Sequence, residues 1–590
     1  MLAIHAEMTD GHEDLILMAV GPAHECAAAG KRLELLTPLF EKSNPPGALV
    51  TPLNWPTVVQ LATEFGPAWC PSPRLVEWIG DQVMRRTSTG EIALSYTPPA
   101  GLEPYPWQVA GAQIISALSG AIIMDEPGTG KTITAILGLV ELLYRSESGP
   151  VIVVCPASVV DSWVAAWQNW APHVRTVAWR GPKRKALADT ADVYVMSYEI
   201  ARIDTPTSSK PQTLLKLKPA HLVVDESHLI KNPRAERTKA VHRIARAVNK
   251  QRGASLMMSG TPITHHPGDL WPSLYAMEPD AYPAGSRWSK RYCITIDTED
   301  RVEVLGLEPL RDAEFRLTML GQERRIAKAD ALPFLPPKVY SQRTVDMPKA
   351  WRKVYDDFAG QMLAELPDGT ELQVMDVMSK LGHLSRLACA AADVEVTHGP
   401  DLDPITQLPK RHVRLELKAP SWKVDALLEI LAERPGEPVV AFAPSRQLMV
   451  LAGETAVEKG LRVGYIIGGQ TAAQRTATVT AFQAGELDLL CVTTGAGGVG
   501  ITLTAAKTCV FLQRPWSLVE SIQAEDRCHR IGSEQHDSIE VIDIVTRDSL
   551  DTQIHGVLRE RANQLAELVQ DPRVVTELLG GSPTPERKTA

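Results

Sequence analysis

Ten short apolar runs, arranged in two blocks, constrain this fold more than any other feature of the chain. AIIM (121–124), VIVVC (151–155), VYVMS (193–197), HLVVD (221–225) and SLMMSG (255–260) form the first block. PVVAFA (438–443), RVGYII (462–467), DLLCVT (488–493), TCVFLQ (508–513) and IEVIDIV (539–545) form the second. Each has the length of a strand, and helical stretches separate it from the next. Runs of this kind suit strands buried on both faces, joined by crossover helices into parallel sheets. The expected fold class is therefore α/β, with two similar lobes. A length of 590 residues agrees, because it exceeds a single ordinary core.

Five segments follow from the pattern. Residues 1–95 read as an N-terminal accessory module, with helices expected at Trp55 to Phe65 and at Pro73 to Arg86. It is either a small DNA- or partner-binding module or a packing element on the first lobe. TSTGEIALSYTPPAGLEPYP then reads as a linker. Lobe one is expected over 96–275, a helical, basic insert and linker over 276–420, and lobe two over 421–570. The tail, 571–590, has the composition of a disordered segment.

Composition narrows the function classes. Hydrophobic content of 44% and charged content of 22% are ordinary globular values. No apolar run approaches the ~20 residues that cross a bilayer, and the acidic N-terminus lacks a signal-peptide pattern. The eight cysteines include no Cys-x-x-Cys pair, which favours reduced structural thiols over disulfides or a zinc site. A net charge of −9 does not favour nucleic acid as a whole, so local basic clusters matter more. These are RGPKRK (180–185), RWSKR (287–291), Arg324-Arg325 and KRHVR (410–414), each of which is also compatible with a solvated face.

The first chemical motif is DEPGTGKT, Asp125 to Thr132, between an apolar strand and the helical run ITAILGLVELL. Gly128 and Gly130 let backbone N–H groups approach a phosphate, and the helix N-terminus adds positive potential. Lys131 would reach the β- and γ-phosphates, and the Thr132 hydroxyl would ligate Mg²⁺. The general pattern wants glycine where Asp125 stands, so the match is to a variant loop. A GxGK[ST] string arises by chance in roughly a few per cent of chains this long. Its place between strand and helix argues for function.

LVVDESH sets Asp225 and Glu226 at the end of another strand. One carboxylate there can hold Mg²⁺, and its neighbour can orient and deprotonate water. By itself such a pair is commonly a helix N-cap; the phosphate loop upstream tips the balance. Gln108 could bind an adenine edge through its amide, or be a surface glutamine on an amphipathic helix. SGTP, with Ser259 and Thr261, could relay phosphate occupancy, or be a plain turn. In the second block, GAGGVG (495–500) holds Gly498 and Gly500, and a helix would place Gln523, Arg527 and Arg530 on one face. Permanently charged arginines suit charge building up on a transferring phosphoryl group, or equally a surface ion-pair network.

Taken in order, these motifs resemble the helicase superfamily two core, and within it the Swi/Snf (sucrose-nonfermenting) group of DNA translocases. The resemblance covers residues 100–560 and rests on DEPGTGKT, VCPASVVDSW, MSYE, DESH, SGTP, LPPK, TTGAGGVGITLTAAKTCVFLQRPW and QAEDRCHRIG. It implies two tandem RecA-like P-loop lobes. It also implies that Gln108, Gly128, Thr129, Gly130, Lys131, Thr132 and Asp225 bind ATP, with Thr132 and Asp225 at Mg²⁺ and Glu226 as base. Arg527 and Arg530 would act as arginine fingers with Gln523 nearby, and Ser259, Thr261, Gly498 and Gly500 would couple the lobes. Pro156, Ser158, Ser197, Ser445, Arg475, Thr493, Thr494 and Trp516 would line the nucleic-acid track.

Thr129, Ser227, Thr502 and Ser533 depart from the family's usual residues without removing a charge or donor that hydrolysis needs. The short insert near 280–420 fits a compact bacterial or phage-type enzyme acting in the cytoplasm. The expected partners are duplex or branched DNA and proteins of replication, recombination or repair, with no membrane and no zinc. The leading expectation is a duplex DNA translocase. A strand-separating DNA or RNA helicase and a non-hydrolysing ATP-gated clamp are the alternatives.

Overall fold

The computed structural model describes residues 2–569, except 12, 38, 43–47, 146–148, 189, 207–212, 261–266, 283, 298–301, 361, 362, 366–370, 374–376, 403–408 and 496–500. The chain divides into two compact units, Met1–Ala331 and Leu332–Ala590.

The first unit opens on a small sheet of its own. Ala3–Met8 pairs antiparallel with Asp14–Val20 and parallel with Trp69–Pro71, while Ala48–Pro52 and Phe40–Lys42 extend the antiparallel side. Alternation decides its faces: Ile4, Ala6 and Met8 are buried, while His5 and Glu7 between them are exposed. The buried face packs on Leu33, Leu61, Phe65 and Leu75, contributed by three helices. Two of these, Trp55–Phe65 and Pro73–Thr87, begin where Asn54 and Ser72 side chains accept backbone N–H groups, each with proline in the first turn.

A seven-stranded sheet follows, in the order Glu323–Arg324, Gly120–Ile123, Ser255–Met258, His221–Asp225, Val151–Cys155, Val193–Ser197, Thr176–Ala178. Every neighbouring pair is parallel. Val151–Cys155 is buried along its whole length, as a strand covered by helices on both faces must be. The second unit holds a six-stranded parallel sheet in the order Lys338–Val345, Ile539–Thr546, Thr508–Phe511, Val439–Ala443, Leu489–Thr493, Val463–Ile466. The ten apolar runs are ten of these strands, and the two-lobed α/β class is what the structure has.

The segment 276–420 differs from the helical pattern expected of it. It carries helices such as Gly285–Tyr292 and Lys349–Gly360, but also the hairpins Cys293–Asp297 with Val302–Leu307 and Ala391–Leu402 with Pro409–Lys418. Glu323–Arg324 joins the first sheet and Lys338–Val345 joins the second. Both lie on sheet edges, where half-exposed strands lack the continuous apolar run that marks an inner one. Among the described residues no helix is long and apolar enough to cross a membrane.

His221, at the start of a central strand, is buried, and its Nδ1 accepts the Ala254 N–H at 3.1 Å. Burial lowers its pKa to about 4. A folded pKa below the unfolded one means that the unfolded chain binds more protons between the two, so stability falls as pH drops from about 6.5 towards 4. We expect this residue to remove about 2 kcal/mol between pH 7 and pH 5. His221→Asn, which can still accept from Ala254, should flatten that slope in urea titrations at the two pH values. An unaltered slope would disprove the assignment.

Candidate active site

Because the seven-stranded and six-stranded sheets are parallel, all the strands of each end on one edge, where α/β folds place their ligands. On that edge of the first unit, the chain leaves Gly120–Ile123, turns through Asp125–Gly130 and enters the helix Lys131–Arg145. Gly128 and Gly130 have φ of +88° and +87°, the left-handed region that glycine occupies without strain. A Cβ on Gly130 would lie 2.2 Å from Gln108 Nε2, so the amide fills the space that the glycine leaves. The loop's N–H groups and the helix N-terminus make an anion cradle. Lys131 Nζ donates to the carbonyls of Asp125 at 2.7 Å and Glu126 at 3.2 Å, folding back over the loop.

Gln108 belongs to the helix Pro106–Ala117 and is buried. Its Oε1 accepts the Tyr105 N–H at 3.0 Å, and its Nε2 donates to the Thr129 carbonyl at 3.4 Å. Trp107 Nε1 donates to the same carbonyl at 3.0 Å and stacks its ring on Tyr105. Gln108 therefore braces the loop here, and reading a base would require its amide to turn away.

The Asp125 position, where the general loop pattern has glycine, has a structural explanation. Asp125 Oδ1 accepts the Ile326 N–H at 3.0 Å and lies 3.5 Å from Arg324 Nε. Glu126 pairs with Arg325 and accepts the Lys328 N–H at 2.8 Å. A glycine at Asp125 would leave the neighbouring edge strand without these partners.

Two strands away, His221–Asp225 ends at the carboxylate pair. Trp163 Nε1 donates to Asp225 Oδ2 at 2.8 Å. The Tyr198 hydroxyl donates to the Asp225 carbonyl at 2.6 Å and lies 3.2 Å from that of Glu226. Glu226 has φ 55° and ψ 52°. A left-handed non-glycine residue costs about 1–3 kcal/mol and persists only where its surroundings fix it; here the Tyr198 hydroxyl does so. Glu226 stands at the N-cap position of the turn Ser227–Ile230 but makes no side-chain cap bond, so its carboxylate is not spent on capping.

Burial, followed by the Glu226 charge, raises Asp225 to about 6, against the opposing effects of Trp163 and Lys131. The influence of Lys131 places it within electrostatic reach of Asp225. His228 Nδ1 lies 3.0 Å from Ser259 Oγ and 3.3 Å from Glu226 Oε2, and burial holds the ring neutral by lowering its pKa to about 3. Ser259, which follows the strand Ser255–Met258, thus meets Glu226 through His228. Thr261, Gly498 and Gly500 lie outside the described residues.

In the second unit the arginine segment departs from expectation. The helix Leu518–Glu525 includes Gln523 but stops there, so Arg527 and Arg530 stand in turns beyond it rather than on its face. The Arg527 carbonyl accepts the Leu503 N–H at 2.8 Å instead of continuing a helical ladder. Glu525 is drawn into the interior by Lys338 at 3.0 Å and by Arg514 at 2.6 Å. Arg530 donates to the Ile501 carbonyl at 3.0 Å and to Thr502 Oγ1 at 3.1 Å, which gives the unusual Thr502 a partner.

Of the expected nucleic-acid residues, Pro156 and Ser158 follow the strand Val151–Cys155 and Ser197 ends the strand Val193–Ser197, at the same edge as the phosphate loop, and Ser158 is exposed. Ser197 and Ser445 cap the helices Tyr198–Asp204 and Arg446–Glu458 in the first and second units. Thr493 ends its strand and is buried, as is Thr494, whose Oγ1 donates to Glu520 Oε2 at 3.4 Å. Arg475 lies in the helix Ala472–Gln483, and Trp516 is exposed.

The basic clusters are partly neutralised. Arg180 pairs with Asp161, Arg184 with Asp204, Arg291 with Glu314 and Glu64, and Arg324-Arg325 with the loop carboxylates. Trp163, Tyr198, His228, Arg324 and Arg325 are the neighbours that the sequence reading did not place at the site. The indole, hydroxyl and guanidinium groups approach it from distant segments, whereas the His228 imidazole stands two residues beyond Glu226 in the same motif.

A model of the SNF2-related domain matches residues 72–392, and one of the helicase conserved C-terminal domain matches residues 422–532. TATA-binding protein-associated factor mot1 of Schizosaccharomyces pombe is 26% identical over 551 residues, covering 83% of this chain and 27% of that protein. Nuclear protein STH1/NPS1 of Saccharomyces cerevisiae is 24% identical over 470 residues, covering 76% of this chain and 33% of that protein. The chain thus spans about a quarter to a third of the length of these relatives. A solved Sulfolobus solfataricus SWI2/SNF2 ATPase core in complex with dsDNA aligns at 19% identity and a TM-score of 0.36, covering 83% of this chain and 100% of that one.

The Trp163 contact yields a direct test. Trp163→Phe keeps most of the ring but removes the N–H that favours the Asp225 carboxylate. The Asp225 titration, followed by carboxyl-carbon NMR, should move upward from about 6. A midpoint that stays or falls would show that the indole does not stabilise the carboxylate.

Proposed function

The chain belongs to the SNF2-related family, and on that premise we propose that it is an ATP-driven motor that couples MgATP hydrolysis to movement along duplex DNA. The observation that carries this reading is the placement of the glycine loop with Lys131 and of the Asp225-Glu226 pair at the carboxyl ends of strands of one parallel sheet. Phosphoryl transfer needs such a set: N–H donors and a lysine for the phosphates, oxygen ligands for a metal, and a carboxylate to orient water.

In this reading Lys131 leaves the Asp125 and Glu126 carbonyls to meet the β- and γ-phosphates. Thr132 and Asp225 hold Mg²⁺. Their hard oxygens suit that ion, and a cation would offset the burial and the Glu226 charge that raise Asp225. Magnesium there would neutralise charge on the phosphates. Glu226, held in its left-handed turn, accepts the proton of the attacking water. Ser259 reaches it through neutral His228, so occupancy of the phosphate cradle can alter the SGTP segment. Gln108 turns to the base.

Gln523, Arg527 and Arg530 of the second unit belong to the same proposal as phosphate-facing groups. Pro156, Ser158, Ser197, Ser445, Arg475, Thr493, Thr494 and Trp516 are proposed to follow the DNA backbone. Contact of that kind is sequence-tolerant and salt-sensitive. Action in a bacterial or phage-infected cytoplasm, with replication, recombination or repair proteins as partners, completes the proposal. The brevity of the 280–420 insert supports it.

Steady-state ATP hydrolysis with duplex DNA, single-stranded DNA and RNA as activators tests the reading. Stimulation by duplex, with triplex displacement but no strand displacement, is expected. Strand displacement would indicate a helicase instead, and absence of turnover a clamp. Glu226→Gln should keep nucleotide affinity within a few-fold while lowering kcat by about 10²–10⁴. A near-normal rate in that variant rules out Glu226 as the base. Arg530→Ala should likewise lower kcat far more than it changes nucleotide affinity.

A further inference from the structure

The small N-terminal sheet module and the phosphate loop are joined by one continuous structural element. Trp55, at the head of the helix Trp55–Phe65, donates its indole N–H to the Leu317 carbonyl at 2.7 Å. The Arg86 guanidinium lies 5.3 Å from the centre of that indole and donates to the Leu320 carbonyl at 3.2 Å. Gly321 then turns the chain at φ +72°, so close that a Cβ there would lie 2.3 Å from the Arg86 carbonyl oxygen. Nearby, Glu64 pairs with Arg291 and Arg311, which both pair with Glu314, and Gln60 donates to the Tyr292 hydroxyl at 2.9 Å.

Directly after Gly321 the chain runs beside the loop strand. The Gln322, Arg324 and Ile326 carbonyls accept the N–H groups of Ile122 at 2.8 Å, Met124 at 2.7 Å and Glu126 at 3.1 Å. Those bonds cover the last strand residues and the first turn of the phosphate loop. The side chains continue the contact, with Arg324 and the Ile326 N–H on Asp125, and Arg325 and the Lys328 N–H on Glu126. Gln322 Nε2 also donates to Glu278 Oε1 at 2.5 Å, and Glu278 lies close enough to interact with Arg86. The same twelve residues, 317–328, therefore carry the module at one end and grip the loop at the other.

We propose that residues 317–328 form a strut through which the N-terminal module positions the phosphate loop, with Arg325 acting on Glu126 as a positioning residue. The carbonyls of Asp125 and Glu126 are those that Lys131 holds, so fixing these two residues fixes the starting point of the lysine. The side chains that support a functional shell decide how well it is placed. This inference deepens the reading of the loop as an ATP site and depends on it only for the nucleotide readout.

The test uses the full chain and three variants. Trp55→Phe keeps an aromatic ring beside Arg86 but removes the bond to Leu317; Arg325→Gln removes the charge on Glu126; Arg325→Lys restores it. The first readout is amide hydrogen exchange at Glu126 and Lys328, which needs no nucleotide. The second is binding of a fluorescent ATP analogue, alongside KM and kcat. Trp55→Phe should speed exchange at both amides, although it lies in the module, and should weaken nucleotide binding about two- to five-fold. Arg325→Gln should raise KM about five- to ten-fold with a smaller change in kcat, and Arg325→Lys should recover most of that loss. Combining Trp55→Phe with Arg325→Gln should give less than the product of the two effects.

Exchange at Glu126 and Lys328 unaltered by Trp55→Phe would overturn the strut, as would multiplicative effects in the double variant. Faster exchange in a protein whose wild type binds no ATP analogue would instead uphold the strut and sink the nucleotide reading.

Discussion

Parallel pairing of strands buried on both faces is the constraint from which the rest of the molecule follows. A strand such as Val151–Cys155 has no solvent side, so it needs helices above and below, and each must return the chain to the same end of the sheet. All polar chemistry is thereby pushed to the carboxyl edge, where strands give way to turns and helix N-termini. Lys131, the Asp225-Glu226 pair, Ser197 and Ser259 all stand along that edge although separate segments of the sequence supply them. Ser445 and Thr493 occupy the corresponding edge of the second sheet.

Each unit fastens its functional segment to its sheet with buried charge. In the first, Asp125 and Glu126 hold Arg324, Arg325 and two backbone N–H groups. In the second, Lys338, Arg514, Glu525 and Asp543 form a chain of ion pairs, with the Arg514 guanidinium 3.7 Å from the centre of the Phe511 ring. Removing one partner of such a pair costs about 3–5 kcal/mol, whereas the intact pair contributes little beyond a hydrophobic substitute. These networks therefore do more for register than for net stability. They fix where the loop begins and where the helix Leu518–Glu525 must stop.

The site is also held by strain and by neutral hydrogen-bonding groups. Glu226 keeps a left-handed backbone because the Tyr198 hydroxyl bonds the carbonyl before it, and Asp225 keeps its orientation through the Trp163 indole. His228 is held neutral by burial, so it can sit between Ser259 and Glu226 without adding a charge to the carboxyl edge of the sheet. Trp163 and Tyr198 have no reacting role to declare in sequence and reach the site only by packing; His228 stands two residues beyond Glu226, but its bond to Ser259 comes from the fold.

The sequence by itself determined the two-sheet architecture, since apolar strand-length runs have few other ways to be buried, and the loop, whose glycines and lysine carry their chemistry locally. It also located Asp225 and Glu226, because a carboxylate pair at the end of a buried strand stands out against its apolar neighbours. Tertiary structure alone decided what depends on distant partners. The edge strands Glu323–Arg324 and Lys338–Val345 are defined by the strands they pair with, not by an apolar run of their own. Periodicity placed Arg527 and Arg530 on a helix, but a hydrogen bond from Leu503 to the Arg527 carbonyl turned the chain away. Arg324 and Arg325 read as a basic patch until Asp125 and Glu126 were found opposite them. Local pattern can specify a strand or a loop, but a charge or a carbonyl acquires its role only from the partner that the fold brings to it.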